Sequence, residues 1–187
     1  PGRVVIYSDV GYILLGEWFA RASGRGLDRL FAEEIATPLG LTDTGYMRAD
    51  GGSTAGRVPD AGRIAPTDRC PWRRRVLRGE VQDENAYAMG GVAGHAGLFS
   101  TAREVHRLTS AFVRSFDTDG GLFARALARE CFAGPGSLVG GSTWSLGWDT
   151  PTPAASSAGG LVSSRPFGHL GFTGTSVWVD LDRGVHV

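Results

Sequence analysis

The chain has 187 residues, enough to bury a sizeable core, and length alone fits one domain. Its 19 acidic and 19 basic side chains balance, which leaves no basic footprint for nucleic acid. No apolar run approaches the roughly 18 residues of a membrane-spanning helix, and all 19 basic residues are arginine, so the chain contains no lysine.

Ile13, Leu14, Trp18 and Ala22 recur at helical spacing, with Asp9 as N-cap before them and Gly24 as the stop behind them. Leu27, Leu30, Phe31, Glu34 and Ile35 predict a second helix. The bias of a residue preceding proline against helical geometry ends that helix before Pro38. Thr42 to Gln82 is rich in Gly, Pro, Asp and Arg and reads as long irregular surface. Its dense basic run, Trp72-Arg73-Arg74-Arg75, reads as a solvated turn rather than a phosphate-binding patch. Asp83-Glu84-Asn85 reads as another solvated turn, with a cleft loop as the alternative. His95 sits in a glycine-rich turn where an imidazole satisfies backbone carbonyls, with cleft lining as its other reading. Thr101 and Glu104 form a capping box that opens a third helix, whose buried face carries Val105, Leu108, Phe112 and Phe116. A short fourth helix is expected around Leu122 to Phe132.

From Thr143 onward the pattern changes to strands. Trp144 to Trp148, Gly168 to Phe172 and Ser176 to Leu181 alternate or run apolar between turn residues, and Thr150 to Gly160 is a loop. Helices followed by antiparallel strands define an α+β domain. Cys70 and Cys131 lack metal-site spacing and are open to two readings, buried thiols or one disulfide. There is no Gly-x-Ser-x-Gly elbow, no His-Glu-x-x-His and, without lysine, no Walker loop. Asp117-Thr118-Asp119-Gly120 starts like a calcium loop, but its glycine comes too early and Ala128 stands where the bidentate Glu belongs. No metal or cofactor is expected.

Three segments carry a further signal. YSDVGYILLG spans Tyr7 to Gly16 and runs on through EWFARASGRGLDRLFAEEIATPLGL; GGVAGHAGLFSTA spans Gly90 to Ala102; FGHLGFTGTSVWVD spans Phe167 to Asp180. In this order they resemble the penicillin-recognising serine hydrolases: class C β-lactamases, DD-peptidase-like proteins and β-lactamase-like esterases. The resemblance covers nearly the whole chain. It sets Tyr7-Ser8-Asp9 on the Tyr-x-Asn element, with Asp9 replacing Asn, and Pro38-Leu39-Gly40 on the turn after the next helix. His169-Leu170-Gly171 falls on the Lys-Thr-Gly element, with His169 replacing Lys.

The resemblance implies a partial β-lactamase/DD-peptidase-like α+β fold, truncated at both ends. Residues 1–142 would belong to the helical lobe and 143–187 to the antiparallel sheet. The chain would be a fragment lacking the Ser-x-x-Lys element, inactive alone, of an enzyme that cleaves ester, amide or peptidoglycan-type substrates through an acyl-enzyme. Tyr7 would be the phenol serving as base or proton relay; a free phenol, with a pKa near 10, needs neighbouring cations to act so at neutral pH. His169 would supply part of that charge or share the proton work, although an ordinary imidazole is only about a quarter charged at pH 7. Asp9 would accept hydrogen bonds in the cleft but, ionised, could not donate as Asn does. Leu170 and Gly171 would form the substrate-binding cleft edge, Gly171 leaving room for substrate. The Phe172 N–H would donate to the oxyanion, a role worth about 100- to 1000-fold in rate. The implied partner is a small or peptidoglycan-derived substrate, and the implied compartment periplasmic or extracellular. The alternative is a non-catalytic homologue that binds peptides or muropeptides in the same cleft.

Overall fold

The structure is a computed structural model that describes residues 5–53, 61–119, 121–131, 142–152 and 156–187. Phe132, Gly120 and residues 54–60 and 153–155 of the expected loops lie outside the described residues. The chain forms two compact units: Ser8–Leu108, and Thr109–Val187 together with Pro1–Tyr7.

In the first unit α1 (Asp9–Ser23) starts one residue earlier than the sequence pattern implies. Ser8, extended at φ −151°, is the N-cap, and its hydroxyl accepts from the Gly11 N–H at 3.4 Å. Asp9 is therefore not the cap but the first helical residue, where a carboxylate complements the positive helix end. Gly24 closes the helix in the left-handed region, φ 67°. Leu14 and Trp18 are solvent-exposed, and the buried residue of α1 is Gly16, against the backbone of Gly94.

The second helix does not end before Pro38. α2 (Leu27–Phe31) continues through a π turn, Ala32–Ala36, into α3 (Thr37–Leu39), with Thr37 still helical at φ −63°. Pro38 falls in the first turn of α3, where a missing N–H costs little. Gly40, φ 63°, ends the run.

Thr42 to Gln82 is not simply surface, because it holds much of the unit's core. β1 (Gly45–Tyr46) pairs antiparallel with β4 (Leu98–Phe99), and β2 (Arg69–Cys70) pairs with β3 (Arg75–Val76) in a hairpin. Tyr46, Met47, Cys70, Leu77 and Val81 are buried. Burial and the nearby Asp28 carboxylate push the Tyr46 phenol up to about 12; its hydroxyl donates to the Ala93 carbonyl at 3.1 Å. The basic run is also not a fully solvated turn. The buried Arg73 guanidinium donates to the carbonyls of Val81 and Gln82 at 2.7 and 2.8 Å and sits over the rings of Trp72 and Tyr87.

α4 (Glu84–Ala88) is capped by Asp83, whose Oδ1 accepts from the Ala86 N–H at 2.7 Å. The same oxygen lies 2.8 Å from Nε2 of His95. His95 thus satisfies a carboxylate rather than backbone carbonyls. α5 (Ala102–Arg114) begins as only half a capping box. The Glu104 N–H reaches the Thr101 hydroxyl at 3.3 Å, but the Glu104 carboxylate turns to residues 42–44 instead. The helix stops at Arg114, short of Phe116.

The second unit contains α6 (Arg125–Cys131) and an antiparallel sheet ordered β5 (Pro166–Leu170), β6 (Ser176–Asp180), β7 (Val185–His186). Phe167 and Val179 are paired across β5 and β6 and fully buried. Around them Phe112, Phe123, Trp148 and Phe167 pack mostly edge to face, 4.9–6.0 Å between centroids. Trp144 to Trp148 is not a strand. Ser145 N–H donates to the Trp148 carbonyl at 2.8 Å and Gly147 adopts φ 81°, which makes a tight turn. Asp149 then exchanges both backbone hydrogen bonds with Gly168, at 2.8 and 2.9 Å, and so adds the turn to the free edge of β5. Cys70 and Cys131 are free thiols; burial, helped by Glu130, pushes the Cys131 thiol up. The whole is a mixed fold of helices and small antiparallel sheets.

Candidate functional site

Two of the residues singled out by sequence motifs meet within the second unit. Tyr7, more than half exposed, places its ring centroid 6.0 Å from that of His169, with the planes tilted by 43°. His169 lies near the end of β5, opposite Val177 of β6. Its Nδ1 is 2.6 Å from the Leu170 carbonyl, which can only accept. Nδ1 therefore carries a proton and donates, and in the neutral ring Nε2 is the nitrogen that can accept.

Beyond His169 the strand closes into a turn. The Gly171 N–H donates to the Thr175 carbonyl at 2.7 Å and the Gly174 N–H to the Gly171 carbonyl at 3.0 Å. A Cβ on Gly171 would overlap the Thr175 hydroxyl, so a larger residue there would make the Thr175 side chain turn aside. Leu170 and Phe172 are exposed. The Phe172 N–H has no acceptor among the described residues.

Trp144 was not among the residues the motifs mark, yet it completes a three-ring cluster. Its centroid lies 5.0 Å from Tyr7 and 5.5 Å from His169. The sequence signal was the Trp-Ser-Leu-Gly-Trp run, which reads as a strand unless Gly147 is taken as a turn.

Asp9 belongs to the other unit, where it is exposed at the start of α1. Two hydrogen-bonded carboxylates also lie there, the half-buried Asp83 and the buried Glu104. Burial pushes the Asp83 carboxyl up, but the Ala86 N–H, His95 and the Asn85 N–H outweigh it and hold Asp83 below the ordinary range. Burial likewise raises Glu104. The Thr44 hydroxyl and the Asp43 and Thr42 N–H groups reverse this and hold it low. Among the described residues no cluster of His, Cys, Asp or Glu is arranged to hold a metal, and no helix is long and apolar enough to cross a membrane.

A fold of mixed helices and antiparallel sheet with a Tyr–His pair at a strand end fits a known class. Residues 1–187 match the family described as Beta-lactamase, and the chain belongs to that family. It is 35% identical over 195 residues to a protein of Escherichia coli (strain K12) named as a D-alanyl-D-alanine carboxypeptidase, covering 96% of this chain and 43% of that one. It is 33% identical over 188 residues to the N-acetylmuramyl-L-alanine amidase of Bacillus subtilis (strain 168), covering 96% of this chain and 42% of that one. The fold is similar to the crystal structure of a β-lactamase from Mycobacterium bovis, with TM-score 0.63 and 20% identity, covering 100% of this chain and 56% of that one. The chain thus spans less than half the length of these curated relatives.

Proposed function

We propose that the chain is part of a serine hydrolase that cleaves peptidoglycan-type amides or related esters through an acyl-enzyme. The observation that carries this reading is the Tyr7–His169 pair: a phenol and an imidazole with ring centroids 6.0 Å apart, beside a strand-end turn whose Phe172 N–H has no acceptor among the described residues. The names of the curated relatives favour cell-wall substrates.

In this reading Tyr7 relays the proton of a serine nucleophile, and His169, through Nε2, takes the place of the family's lysine. The Phe172 N–H supplies one oxyanion donor, and Leu170 and Gly171 edge the substrate. With no lysine among the 187 residues, a Ser-x-x-Lys nucleophile comes from sequence outside them, and the chain alone is inactive. The substrate's location makes a periplasmic or extracellular protein the natural setting.

The test is acylation of the full-length protein by a fluorescent β-lactam, with intact mass and peptide mapping, alongside D-alanine release from a D-alanyl-D-alanine-terminated muropeptide. An adduct on a serine of a Ser-x-x-Lys element, with D-alanine release, supports the reading. Absence of both, with retained muropeptide binding, would make the protein a non-catalytic binding homologue.

A further inference from the structure

We infer that Trp144 is a positioning residue for the Tyr7–His169 pair, an inference that rests on the hydrolase reading above. The geometry is a closed triangle of rings: 5.0 Å from Trp144 to Tyr7, 5.5 Å from Trp144 to His169 and 6.0 Å from Tyr7 to His169. Tyr7 is more than half exposed and sits in a segment without regular structure. Its ring finds lateral support on Trp144 and His169.

Trp144 itself is delivered by a stiff device. Its N–H donates to the Ser142 hydroxyl at 3.1 Å, and Thr150 closes the turn below it, with N–H and hydroxyl both donating to the Thr143 carbonyl at 3.0 and 2.6 Å. Trp148, at the other end of the turn, is anchored on Phe112 and Phe167. Asp149 pins the turn to Gly168, the residue immediately before His169. Trp144 bridges Asp149 across the turn, so the indole and the imidazole project from backbone linked through Asp149 and Gly168. A half-buried indole in this place fixes the side of His169 on which the phenol rests. Tilted aromatic pairs at these distances have a preferred geometry that an aliphatic side chain does not reproduce, and proton relays lose rate steeply when reacting groups shift by about 1 Å.

The experiment compares wild type, Trp144→Leu and Trp144→Phe in the full-length protein. Acylation by a fluorescent β-lactam is resolved into non-covalent affinity and acylation rate constant. The His169 ring-proton shifts and the Tyr7–His169 NOE are read by NMR. Expected for Trp144→Leu is an acylation rate lowered roughly 10- to 100-fold with affinity within about 2-fold, displaced His169 ring-proton signals, and loss of the NOE. Trp144→Phe, which keeps a ring, recovers most of the rate. Weakened affinity with unchanged acylation rate would overturn the inference and make Trp144 a substrate-contact wall. So would unchanged His169 signals and an intact NOE in Trp144→Leu. Where even wild type takes no adduct, the hydrolase reading fails, and the NMR arm still decides whether Trp144 orders the two rings.

Discussion

The imidazole of His169 is held by its own strand: Nδ1 donates to the Leu170 carbonyl at 2.6 Å, which commits that nitrogen and leaves Nε2 as the second ring nitrogen. A lysine in the same position would offer only donors and a fixed charge. Histidine offers a lone pair whenever it is neutral. The proposed mechanism draws on that difference, with the Tyr7 ring 6.0 Å away as the partner group.

Replacing Tyr7 with Phe separates chemistry from packing. The ring that meets Trp144 and His169 is preserved and only the hydroxyl is lost, so the folding midpoint is expected to change little beside the loss of turnover. Turnover of the full-length protein should fall about 100- to 10,000-fold, the range for a general base. Steady-state kinetics with thermal unfolding on the same samples checks both halves. Unchanged turnover would remove Tyr7 from the mechanism.

His169→Lys restores the residue the family resemblance leads one to expect. Lysine offers only donors, whereas the proposed role of His169 needs a ring nitrogen that can accept. Turnover of the full-length variant should therefore fall by about 100-fold or more, the low end of the range for a general base. Unchanged turnover would exclude proton exchange through His169.

How much of this was readable beforehand follows from how local each signal is. Gly24 as a helix stop and the β5–β6 pair were legible because caps and alternation are written in adjacent residues. Helix α5 was legible too, but the partner of Glu104 was not. A capping box is a local rule, and the carboxylate instead serves Thr42, Asp43 and Thr44, about 60 residues away. The core built on Tyr46, Cys70 and Leu77 was missed because strands of two residues give no period to detect. Arg73 was misread because a guanidinium buried by carbonyls and ring faces looks, in sequence, like any charged turn. Of the site, the motifs marked Tyr7 and His169 but not Trp144, whose turn is defined by Gly147 and by pairing with Asp149.

Gly94 carries a packing requirement inside the first unit. A Cβ there would overlap the Tyr12 carbonyl oxygen of α1 and crowd Gly16. Neither neighbour is a flexible side chain, so Gly94→Ala must displace the helix or the loop. Overpacking of this kind costs about 1–3 kcal/mol and occasionally more. Urea unfolding of the chain should show a lower midpoint with unchanged m value. A wild-type midpoint would mean that α1 and the glycine loop give way freely.

Glu104 ties α5 to the segment after α3, and its replacement tests a buried, fully used carboxylate. One oxygen accepts from the Thr42 N–H at 2.8 Å; the other accepts from the Asp43 N–H at 3.0 Å and from the Thr44 hydroxyl. In Glu104→Gln one acceptor becomes an NH2 donor facing other donors, a mismatch worth about 1–3 kcal/mol at neutral pH. The pH dependence has a definite sign. Hydrogen bonding holds the folded carboxyl below its unfolded value despite burial. The stability it contributes is therefore full above the ordinary glutamate value of about 4.3 and is lost as pH falls through the lower folded value. Asp83, held low in the same way, adds acid sensitivity to both proteins and cancels in their difference. Denaturation of wild type and Glu104→Gln at a series of pH values should thus show a gap that is widest near neutrality and narrows on acidification. A gap that stays constant to low pH would mean that the charge of Glu104 is not what holds residues 42–44.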